Sequence, residues 1–546
     1  MNGGDAVVET LIEHGVDTAF TVSGESFLPV LEALRRHRNT VRLVTTRHEG
    51  GAAFAAEAFG KLTGRPAAVF VSRGPGATNA SIGVHTAKQD STPLLLFIGH
   101  VPTGSKGRES FQEIDHHAMF GAVAKAVLEA QTADGLAATT AEAVRLSTEG
   151  RPGPVVVVLP RDLTAAEIAE LSVPTAVKRE PVTADQDTLN AAGALIDNAE
   201  RPLAIVGEMV AFEGAQDQLG AFAEATGIPV MAAYRRQDCL ANGHPAYAGH
   251  LEIDRVAFQR EAMQTADLLL AIGSRLDGIT SQDRTWPKPH QKLVQIYPDE
   301  AVLARCAANV SVRSDCAPAL AALTELCSAA SEERQERQRL LHADYLSLSK
   351  PGSATVHGAV DLSEISAVVQ RLVRPNAAIV TDGGSFARWI HRFYRFEAPA
   401  TQAGPISGAM GYAVPGAIGA ALAKPDAEIV AFVGDGGFLM TGQELTTARE
   451  QNIKLIIVLC DNNAHGSILQ GQHRAYGADA EYGTVLQSPD FAAVARGYGL
   501  PAWTVAETAE FEPAFRAALA QPGPTLLHLL TDRRDIAPFE DAQNSV

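Results

Sequence analysis

The chain has 546 residues, of which 46% are hydrophobic and 20% charged, so it is too long for one hydrophobic core and we expect about three domains. Its formal net charge of −18 is unfavourable for binding nucleic acid or an anionic membrane. No apolar run reaches transmembrane length and no basic and then apolar signal opens the chain, which predicts a cytoplasmic protein, and the five scattered cysteines predict reduced thiols.

Residues 1–168 alternate predicted helices and strands. Helical segments such as AVVETLIEHGV and FLPVLEALRRH accompany the apolar segments TAFTV, VRLVTT, AAVFVS, LLLFIG and PVVVVLP. Strands that are covered on both faces read as continuous apolar runs, and their alternation with helices is typical of a doubly wound parallel sheet. We therefore predict a first α/β domain over residues 1–168.

Two further units repeat this pattern. Residues 185–330 contain LAIVG, IPVMAA, LLLAIGS and LVQIYP, and residues 360–535 begin with AIVTDGG. Between them lies a charged stretch followed by a segment rich in serine, glycine and proline, which predicts an exposed helix and then a linker. The predicted fold class is α/β, with three doubly wound parallel-sheet domains.

The third unit carries the most informative segment, EIVAFVGDGGFLMTGQELTTAREQNIKLIIVLCDNNAHGSILQ. A buried-type strand ends at Asp435, a helix follows, and the next strand delivers Asn462 to the same edge of a parallel sheet. Glycines in the first turn let backbone amides approach phosphate oxygens. Magnesium prefers about six oxygen ligands and often shares them between a few protein groups and substrate phosphates. Asp435, Asn462 and the carbonyl group of Ala464 therefore predict a magnesium diphosphate site.

This Gly-Asp-Gly turn with its distant Asn-Asn pair resembles the diphosphate-binding signature of thiamine-diphosphate enzymes. An independent segment, VTTRHEGGAAFAAEAFGKLTGRPAAVFVSRGPGATNASIGV, is similar to the pyrimidine-binding half of the acetolactate synthase and 2-oxo acid decarboxylase superfamily. Two motifs about 390 residues apart, in the family's order, rarely coincide by chance. The resemblance covers nearly the whole chain and implies a pyrimidine-binding, a central and a diphosphate-binding domain, with thiamine diphosphate and Mg²⁺ as cofactors.

The resemblance assigns a catalytic role to Glu49, the glutamate of the Arg-His-Glu motif. In the family this carboxyl group contacts the aminopyrimidine ring, and a shared proton there favours the tautomer that acts as the base. Taken alone, Glu49 reads more simply as a cap of the helix that begins here, and the distal motif reverses that preference. Gln112 is the second predicted catalytic residue, because SFQEIDHHAMF matches the stretch whose glutamine faces the reacting carbon in acetolactate synthases.

Further cofactor contacts follow from the resemblance, residue by residue. In GPISGAMGYAV, the carbonyl group of Gly408 is expected to accept a hydrogen bond from the aminopyrimidine ring. Met410 is expected to support the cofactor in its bent conformation. With the strand-end loops, the implied set besides Glu49 is Gly384, Ser385, Gly408, Met410, Gly434, Asp435, Gly436, Gly437, Asn462, His465, Gly466, Ser467 and Ile468. His116 and His117 are interpreted as surface or packing residues, because the histidine pair of related decarboxylases lies elsewhere relative to this stretch.

The chain departs from the anabolic acetolactate synthases after the central strand LLLAIG. Those enzymes have an Asp-Asp-Arg run there, and here the sequence is SRLDGI, without the arginine that meets a second 2-oxo acid. We therefore do not expect a role in branched-chain amino acid synthesis. FAD binding stays open, because the flavin-contacting pieces and a glycine-rich dinucleotide fingerprint are not matched.

The implied reaction is a thiamine-diphosphate- and Mg²⁺-dependent decarboxylation of a pyruvate-like 2-oxo acid, with transfer of the acyl anion to a carbonyl acceptor. Ile468 favours ligation over aldehyde release, because decarboxylases of the superfamily carry a glutamate at this position. Alternatives are a non-ligating decarboxylase, a carbon-carbon lyase, or a catalytically silent relative that binds the cofactor. Because family active sites lie between subunits, the resemblance also implies a homodimer or a homotetramer, with no nucleic-acid or membrane partner.

Overall fold

The computed structural model describes residues 1–477 and 479–538. Its first sheet has six strands, all pairing in parallel, in the order β2-β1-β3-β4-β6-β5. The strands are β1 (Thr18–Thr21), β2 (Arg42–Thr45), β3 (Ala67–Ser72), β4 (Leu94–His100), β5 (Ala126–Glu129) and β6 (Pro154–Pro160). The helices are α1 (Gly3–Glu13), α2 (Leu28–Arg36), α3 (Glu49–Thr63), α4 (Arg73–Asp90), α5 (His116–Phe120), α6 (Gly135–Thr148) and α7 (Arg161–Ala165). The two faces of this sheet are covered by separate apolar clusters, as its continuous apolar strands require.

The second sheet has the order β12-β11-β10-β7-β8-β9, again all parallel. Its strands are β7 (Pro202–Val206), β8 (Val230–Ala232), β9 (Tyr247–His250), β10 (Leu268–Ile272), β11 (Lys292–Tyr297) and β12 (Val310–Arg313). Its helices are α8 (Gln186–Asn198), α9 (Glu208–Glu213), α10 (Gln216–Thr226), α11 (Ala257–Thr265), α12 (Gly278–Ser281), α13 (Glu300–Leu303) and α14 (Cys316–Leu326).

The charged stretch after the central sheet forms α15 (Glu332–Leu348). The prediction that this helix is exposed is wrong for one of its faces. Gln338 is buried and donates to the backbone of Ala223 and Ile228, while Arg334 donates to carbonyl groups that follow α8. Because these backbone acceptors are buried, the polar side chains can pack beside Leu341 and Tyr345, which are also buried on this helix. The helix therefore completes the central domain.

The third sheet has the order β14-β13-β15-β16-β18-β17, also all parallel. Its strands are β13 (Ala378–Thr381), β14 (Gln402–Ala403), β15 (Ile429–Gly434), β16 (Ile456–Asp461), β17 (Ala502–Val505) and β18 (Thr525–Leu530). Its helices are α16 (Leu362–Leu372), α17 (Ala387–Phe393), α18 (Ala413–Ala423), α19 (Asp435–Thr441), α20 (Glu444–Glu450), α21 (Gly466–Tyr476), α22 (Phe491–Gly497) and α23 (Thr508–Leu519). Three parallel sheets with helices confirm the predicted α/β fold class.

The first and third domains share one apolar core, which is centred on α3 and α18. The two helices approach so closely that a side chain on Gly419 would lie 1.9 Å from the carbonyl oxygen of Ala55. Fully buried Glu57 accepts hydrogen bonds from Tyr412 of the third domain and from Thr92. The helix that begins at Glu49 is thus fixed to the C-terminal domain of its own chain.

Within residues 1–477 and 479–538, no helix combines the length and the apolar character needed to cross a membrane.

Candidate active site

A cavity of about 460 Å³ opens at the carboxyl edge of the third sheet, where the loops after β13, β15 and β16 converge. Ala464 lines it, as do thirteen predicted cofactor contacts: Gly384, Ser385, Gly408, Met410, Gly434, Asp435, Gly436, Gly437, Asn462, His465, Gly466, Ser467 and Ile468. The structure therefore brings together every predicted position of the C-terminal domain. Their role as cofactor contacts stays a prediction.

Asp435 lies at the centre of this edge, because β15 and β16 pair in the register that sets Gly434 opposite Cys460. Its carboxylate is 3% exposed and accepts from the amides of Gly436 (2.9 Å) and Ala464 (3.2 Å) and from the Ser488 hydroxyl (3.2 Å). Burial raises the pKa of Asp435 to about 6. A bound cation would lower that pKa and hold the group ionised.

Asn462 lies beside Asp435 on the loop that follows β16. Its side-chain oxygen accepts from the Ala464 amide at 3.1 Å, which leaves a second lone pair for another ligand. A later segment of the chain holds this loop, because Asn463 accepts hydrogen bonds from the backbone amides of Leu486 (2.8 Å) and Ser488 (3.1 Å). One carboxylate, one amide oxygen and a nearby carbonyl group form a set of oxygen donors that fits a hard divalent cation.

Two glycines of the turn after β15 have no room for a side chain. A Cβ atom on Gly437 would lie 2.3 Å from the Asp382 carboxylate, and one on Gly436 would lie 2.8 Å from the His465 ring. Larger residues at either position would therefore displace groups that line the cavity. This explains why the turn consists of glycines around one aspartate.

Asp382 is a site residue that the sequence reasoning missed. It follows β13, as Asp435 follows β15, and is fully buried. Its carboxylate accepts from the amides of Gly383 (2.8 Å), Gly411 (3.1 Å) and Tyr412 (3.0 Å). Burial raises its pKa to about 6, although these amides act in the opposite direction. Asp382 thus fastens the loop of Gly384 to the loop that carries Met410, and its place at a strand end was the available signal.

Asp461, the last residue of β16, is a second missed residue. Its Oδ2 atom lies 2.9 Å from the His528 Nε2 atom on β18. Burial raises the pKa of Asp461, but hydrogen bonds from His528 and Ser488 outweigh it, so the pKa lies below its usual value. A second carboxylate therefore lies close to Asp435 and adds negative charge next to the predicted metal position.

Glu49 lies on a different face, at the start of α3. The residue that caps this helix is His48, whose Nδ1 accepts from the Gly50 amide at 3.0 Å, so the interpretation of Glu49 as the capping residue is wrong. The Glu49 carboxylate is half-buried and accepts from the Asn79 side chain at 2.9 Å. It also lies 3.3 Å from where a side chain on Gly76 would begin.

Gln112 adjoins the same face. Its carbonyl oxygen accepts from the Gly74 amide at 2.9 Å, two residues before Gly76. Neither Glu49 nor Gln112 lines the cavity of the C-terminal domain in the same chain. The structure therefore brings the predicted residues together in two groups, thirteen contacts in one cavity and the two catalytic candidates on a separate face.

The surface that carries Glu49, Asn79 and Gln112, here called the Glu49 face, is supported by the C-terminal domain. Glu444, on α20, is fully buried, and its carboxylate accepts from the amides of Arg47 and His48, each at 3.0 Å. Burial raises the pKa of Glu444. A side chain on Gly51 would lie 2.7 Å from the same carboxylate. The turn before Glu49 is therefore held by a group about which the sequence pattern carried no signal.

The two histidines next to Gln112 have different environments. A cavity of about 500 Å³ is lined by His100, Glu113, His116 and His117 among others. His116 is buried, and its Nε2 atom lies 3.2 Å from Nδ1 of His100 rather than beside His117. Burial lowers the pKa of His116 to about 4, so this ring is neutral near pH 7. His117 is exposed, in agreement with a surface residue.

The crevice of the central sheet lies between β7 and β10, where the strand order reverses and dinucleotides bind in related folds. Here Glu208 fills it and is 3% exposed. Its carboxylate lies 3.3 Å from Arg275, 3.1 Å from the Tyr297 hydroxyl and 3.5 Å from Ser91 of the first domain. Burial pushes the pKa of Glu208 upward, but the arginines outweigh burial and hold it below its usual value. A dinucleotide could enter this crevice only by displacing the buried ion pair of Glu208 and Arg275.

Family comparisons match the three domains in chain order. Residues 1–119 match the N-terminal thiamine pyrophosphate (TPP) binding domain of thiamine pyrophosphate enzymes, residues 189–323 match their central domain, and residues 382–529 match their C-terminal TPP binding domain. The chain belongs to the thiamine pyrophosphate enzyme family, which confirms the resemblance inferred from its two motifs.

Within this family, the chain is similar to acetolactate synthase large subunits. It is 30% identical to a probable one from Methanocaldococcus jannaschii, over 99% of this chain and 93% of that protein. It is 30% identical to the isozyme 1 large subunit of Escherichia coli K12, over 98% and 94%. For the large subunit of Corynebacterium glutamicum the identity is 33%, over 95% and 84%.

Proposed function

We propose that the chain is a thiamine-diphosphate- and Mg²⁺-dependent carboligase, which decarboxylates a 2-oxo acid and transfers the acyl group to a carbonyl acceptor. The observation that carries this proposal is the convergence of thirteen contacts predicted from the sequence on one cavity around buried Asp435. Similarity to acetolactate synthase large subunits along almost the whole chain supports the same chemistry.

The cavity fits the two cofactors. Asp435, Asn462 and the Ala464 carbonyl would hold Mg²⁺, and the glycine turn after β15 would receive the diphosphate through its amides. Thiamine diphosphate, when bound, would supply a carbanion that adds to the keto carbon of a 2-oxo acid, and its ring would take up the electron pair released when carbon dioxide leaves. The chain's own tasks are to bind and orient this group, to hold a proton at the Glu49 carboxylate, and to exclude water.

We propose that at least two copies of the chain assemble so that Glu49 of one copy faces the diphosphate cavity of the other. Exposed apolar side chains border both groups of residues. Phe111, beside Gln112, is 76% exposed, and Ile82 is 41% exposed on the helix that carries Asn79. At the cavity, Met440 is 50% and Ile468 61% exposed. Apolar side chains exposed in this way are typical of surfaces that bind another protein chain.

Ile468 supports ligation rather than aldehyde release. Its side chain lines the cavity and cannot donate or relay a proton, and in a closed dimer it would add apolar cover over the reacting carbon. A non-ligating decarboxylase or a carbon-carbon lyase remains the alternative. A catalytically silent relative is disfavoured by the intact set of Glu49, Asp435 and Asn462.

We further propose that the central domain carries no FAD. The support is the crevice between β7 and β10, which Glu208 fills with a carboxylate that contacts Arg275, Tyr297 and Ser91. A flavin dinucleotide would have to displace this buried ion pair.

The test is a panel of 2-oxo acids, each supplied with and without an aldehyde or a second 2-oxo acid as acceptor, with products resolved by mass spectrometry. We expect cofactor-dependent release of carbon dioxide and a ligated product that requires the acceptor, with no requirement for FAD. Carbon dioxide release with free aldehyde as the sole product would promote the decarboxylase alternative. If the protein binds the cofactor but shows no turnover, the alternative of a catalytically silent relative would be favoured.

A further inference from the structure

A buried cluster of metal-ligating side chains lies at the junction of the central and C-terminal domains, outside the diphosphate cavity. It consists of His250 at the end of β9, Glu252 two residues later, and His391 on α17. These residues are 9%, 8% and 2% exposed. Among the residues that the structure describes, this is the single group of three His, Cys, Asp or Glu side chains whose ligand atoms all lie within 4.8 Å of one another.

The spacing of these atoms matches a tetrahedral metal site. The Nε2 atom of His250 lies 3.1 Å from Oε1 of Glu252, and Nδ1 of His391 lies 3.2 Å from the same oxygen. Zinc binds imidazole nitrogen and carboxylate oxygen at about 2.0–2.2 Å, so neighbouring ligand atoms in a tetrahedral site lie about 3.3–3.4 Å apart. The two imidazole nitrogens lie within 4.8 Å of each other, so all three ligand atoms border one position.

Outer partners orient two of the three ligands, as they do in known metal sites. The other ring nitrogen of His391, Nε2, lies 3.3 Å from the Thr381 hydroxyl. The second oxygen of Glu252 lies 2.8 Å from Arg388, which also pairs with Asp254 at 2.9 Å. Asp254 offsets the charge of the guanidinium group, so the carboxylate of Glu252 can compensate a bound cation.

A small cavity of about 50 Å³ adjoins His250 and Glu252. This volume holds a water molecule as a fourth ligand but leaves no room for a substrate. The site would therefore be structural rather than catalytic. It joins a strand end of the central domain to α17, the helix that follows the loop of Gly384 and Ser385 at the diphosphate cavity.

We propose that His250, Glu252 and His391 bind a divalent first-row transition metal such as Zn²⁺, which fastens the central domain to the C-terminal domain. Nitrogen ligands distinguish this site from the predicted magnesium site, since Mg²⁺ prefers oxygen ligands in octahedral geometry. The two sites lie on different loops and take different metals. The metal proposal does not depend on which reaction the enzyme catalyses.

The test uses the whole chain, stripped of metal with a chelator and reloaded with Mg²⁺ and thiamine diphosphate. Zn²⁺ is then titrated in competition with a chromophoric chelator, and Co²⁺ is added to a second sample for its visible spectrum. We expect one tightly bound Zn²⁺ per chain, a higher melting temperature with Zn²⁺, and the intense visible absorption of four-coordinate Co²⁺.

Variants of the cluster and control variants elsewhere in the chain test whether Zn²⁺ binds at His250, Glu252 and His391. Glu252→Gln and His391→Gln should weaken Zn²⁺ binding by more than about 100-fold, since loss of even an outer partner of a metal ligand costs about 10–100-fold. His290→Gln, at an exposed histidine outside the cluster, and Asp435→Ala should leave the affinity for Zn²⁺ unchanged.

Three outcomes would overturn the proposal. They are wild-type protein without stoichiometric Zn²⁺ or the Co²⁺ absorption, unchanged Zn²⁺ affinity in Glu252→Gln, and loss of Zn²⁺ binding in Asp435→Ala alone. If His391→Gln does not fold, the Co²⁺ spectrum of the wild type and the Zn²⁺ affinity of Glu252→Gln still test the proposal.

Discussion

The diphosphate cavity of the C-terminal domain and the Glu49 face of the N-terminal domain differ in how complete they are within one chain. Loops from three neighbouring strands close the cavity, and Asp382 and Ser488 hold its walls through hydrogen bonds at 2.8–3.2 Å. The Glu49 face is equally well anchored, by Glu444 beneath it, but neither Glu49 nor Gln112 lines the diphosphate cavity of the same chain.

The proposed function divides binding and activation between these two regions. The residues predicted to hold metal and diphosphate lie together in one chain, whereas the half-buried Glu49 carboxyl group, which would hold the activating proton, lies on another surface. Apolar side chains are exposed in both regions. Phe111 adjoins Gln112, Ile82 lies on the helix that carries Asn79, and Met440 and Ile468 line the cavity, so we propose that one subunit contact brings the two regions together. Variants of the cavity should therefore change cofactor affinity, and variants of the face should change turnover.

The largest expected effect is that of Asp435→Ala on cofactor binding. Removing the central carboxylate leaves the negative diphosphate poorly compensated, so Mg²⁺-dependent affinity for thiamine diphosphate should fall by more than about 100-fold. Titration calorimetry with and without Mg²⁺ measures this. Asp426→Ala, at an exposed aspartate of the same domain, is the control and should bind normally. Unchanged affinity of Asp435→Ala would mean that the metal lies elsewhere.

Glu49→Gln should retain the fold and the cofactor but lose most turnover. An amide cannot share its proton with the aminopyrimidine ring, and loss of a positioned acid-base group costs about 10²–10⁴-fold in rate. The direct assay is exchange of the cofactor's C2 proton, followed by NMR in deuterated buffer. A wild-type exchange rate in this variant would remove Glu49 from the activating role.

Asp382 supports the diphosphate cavity and Glu444 supports the Glu49 face, so variants of these two carboxylates should have opposite effects on cofactor affinity and turnover. Asp382→Asn leaves one of three buried amides without a good acceptor, which should destabilise the protein by about 1–3 kcal/mol and weaken cofactor binding about 10-fold. Glu444→Gln should lower turnover while the affinity for thiamine diphosphate stays close to wild type, because Glu444 supports the turn before Glu49. Calorimetry and steady-state kinetics on both variants separate the two. The reverse pattern would contradict the division between binding and activation.

The smallest expected effect concerns the fate of the product. Ile468→Glu introduces a group that can relay a proton, so the ratio of ligated product to free aldehyde from pyruvate should fall several-fold, with little change in cofactor affinity. Ile468→Leu is the control and should keep the wild-type ratio. If the wild type itself releases mainly acetaldehyde with acceptor in excess, Ile468 does not favour ligation.

Sequence reasoning succeeded where apolar runs and turn chemistry are strong. Central strands such as β3, β4, β10, β15 and β16 are covered on both faces and read as continuous apolar segments. The edge strands β5, β9, β12, β14 and β17 were not predicted, because short segments such as YAGH and QA carry no such run. The glycine turn, Asp435, Asn462 and Ala464 were predicted from the geometry of adjacent parallel strands. The other cavity residues were predicted only because the resemblance to the family implied them.

The site residues that were not predicted form hydrogen bonds with residues that are distant in the sequence. Glu444 lies 396 positions from His48, and His391 lies 139 positions from Glu252. Such contacts depend on how domains pack, and no local periodicity reports them. Asp382 is an intermediate case, since a strand-end aspartate was visible in the sequence but its three amide donors were not. The same holds for Glu208, which only the packed structure places in the central crevice.

The central claim, that Glu49 and Asp435 of different copies form one active site, has a direct test in mixtures of two inactive variants. Glu49→Gln and Asp435→Ala chains are combined under conditions that exchange subunits, and turnover is measured against each variant alone. In a mixed dimer one site would have both wild-type residues, so random exchange should restore about one quarter of wild-type activity. If both residues served the same site from one chain, every site would lack one of them. A mixture that stays inactive after verified subunit exchange would contradict the claim.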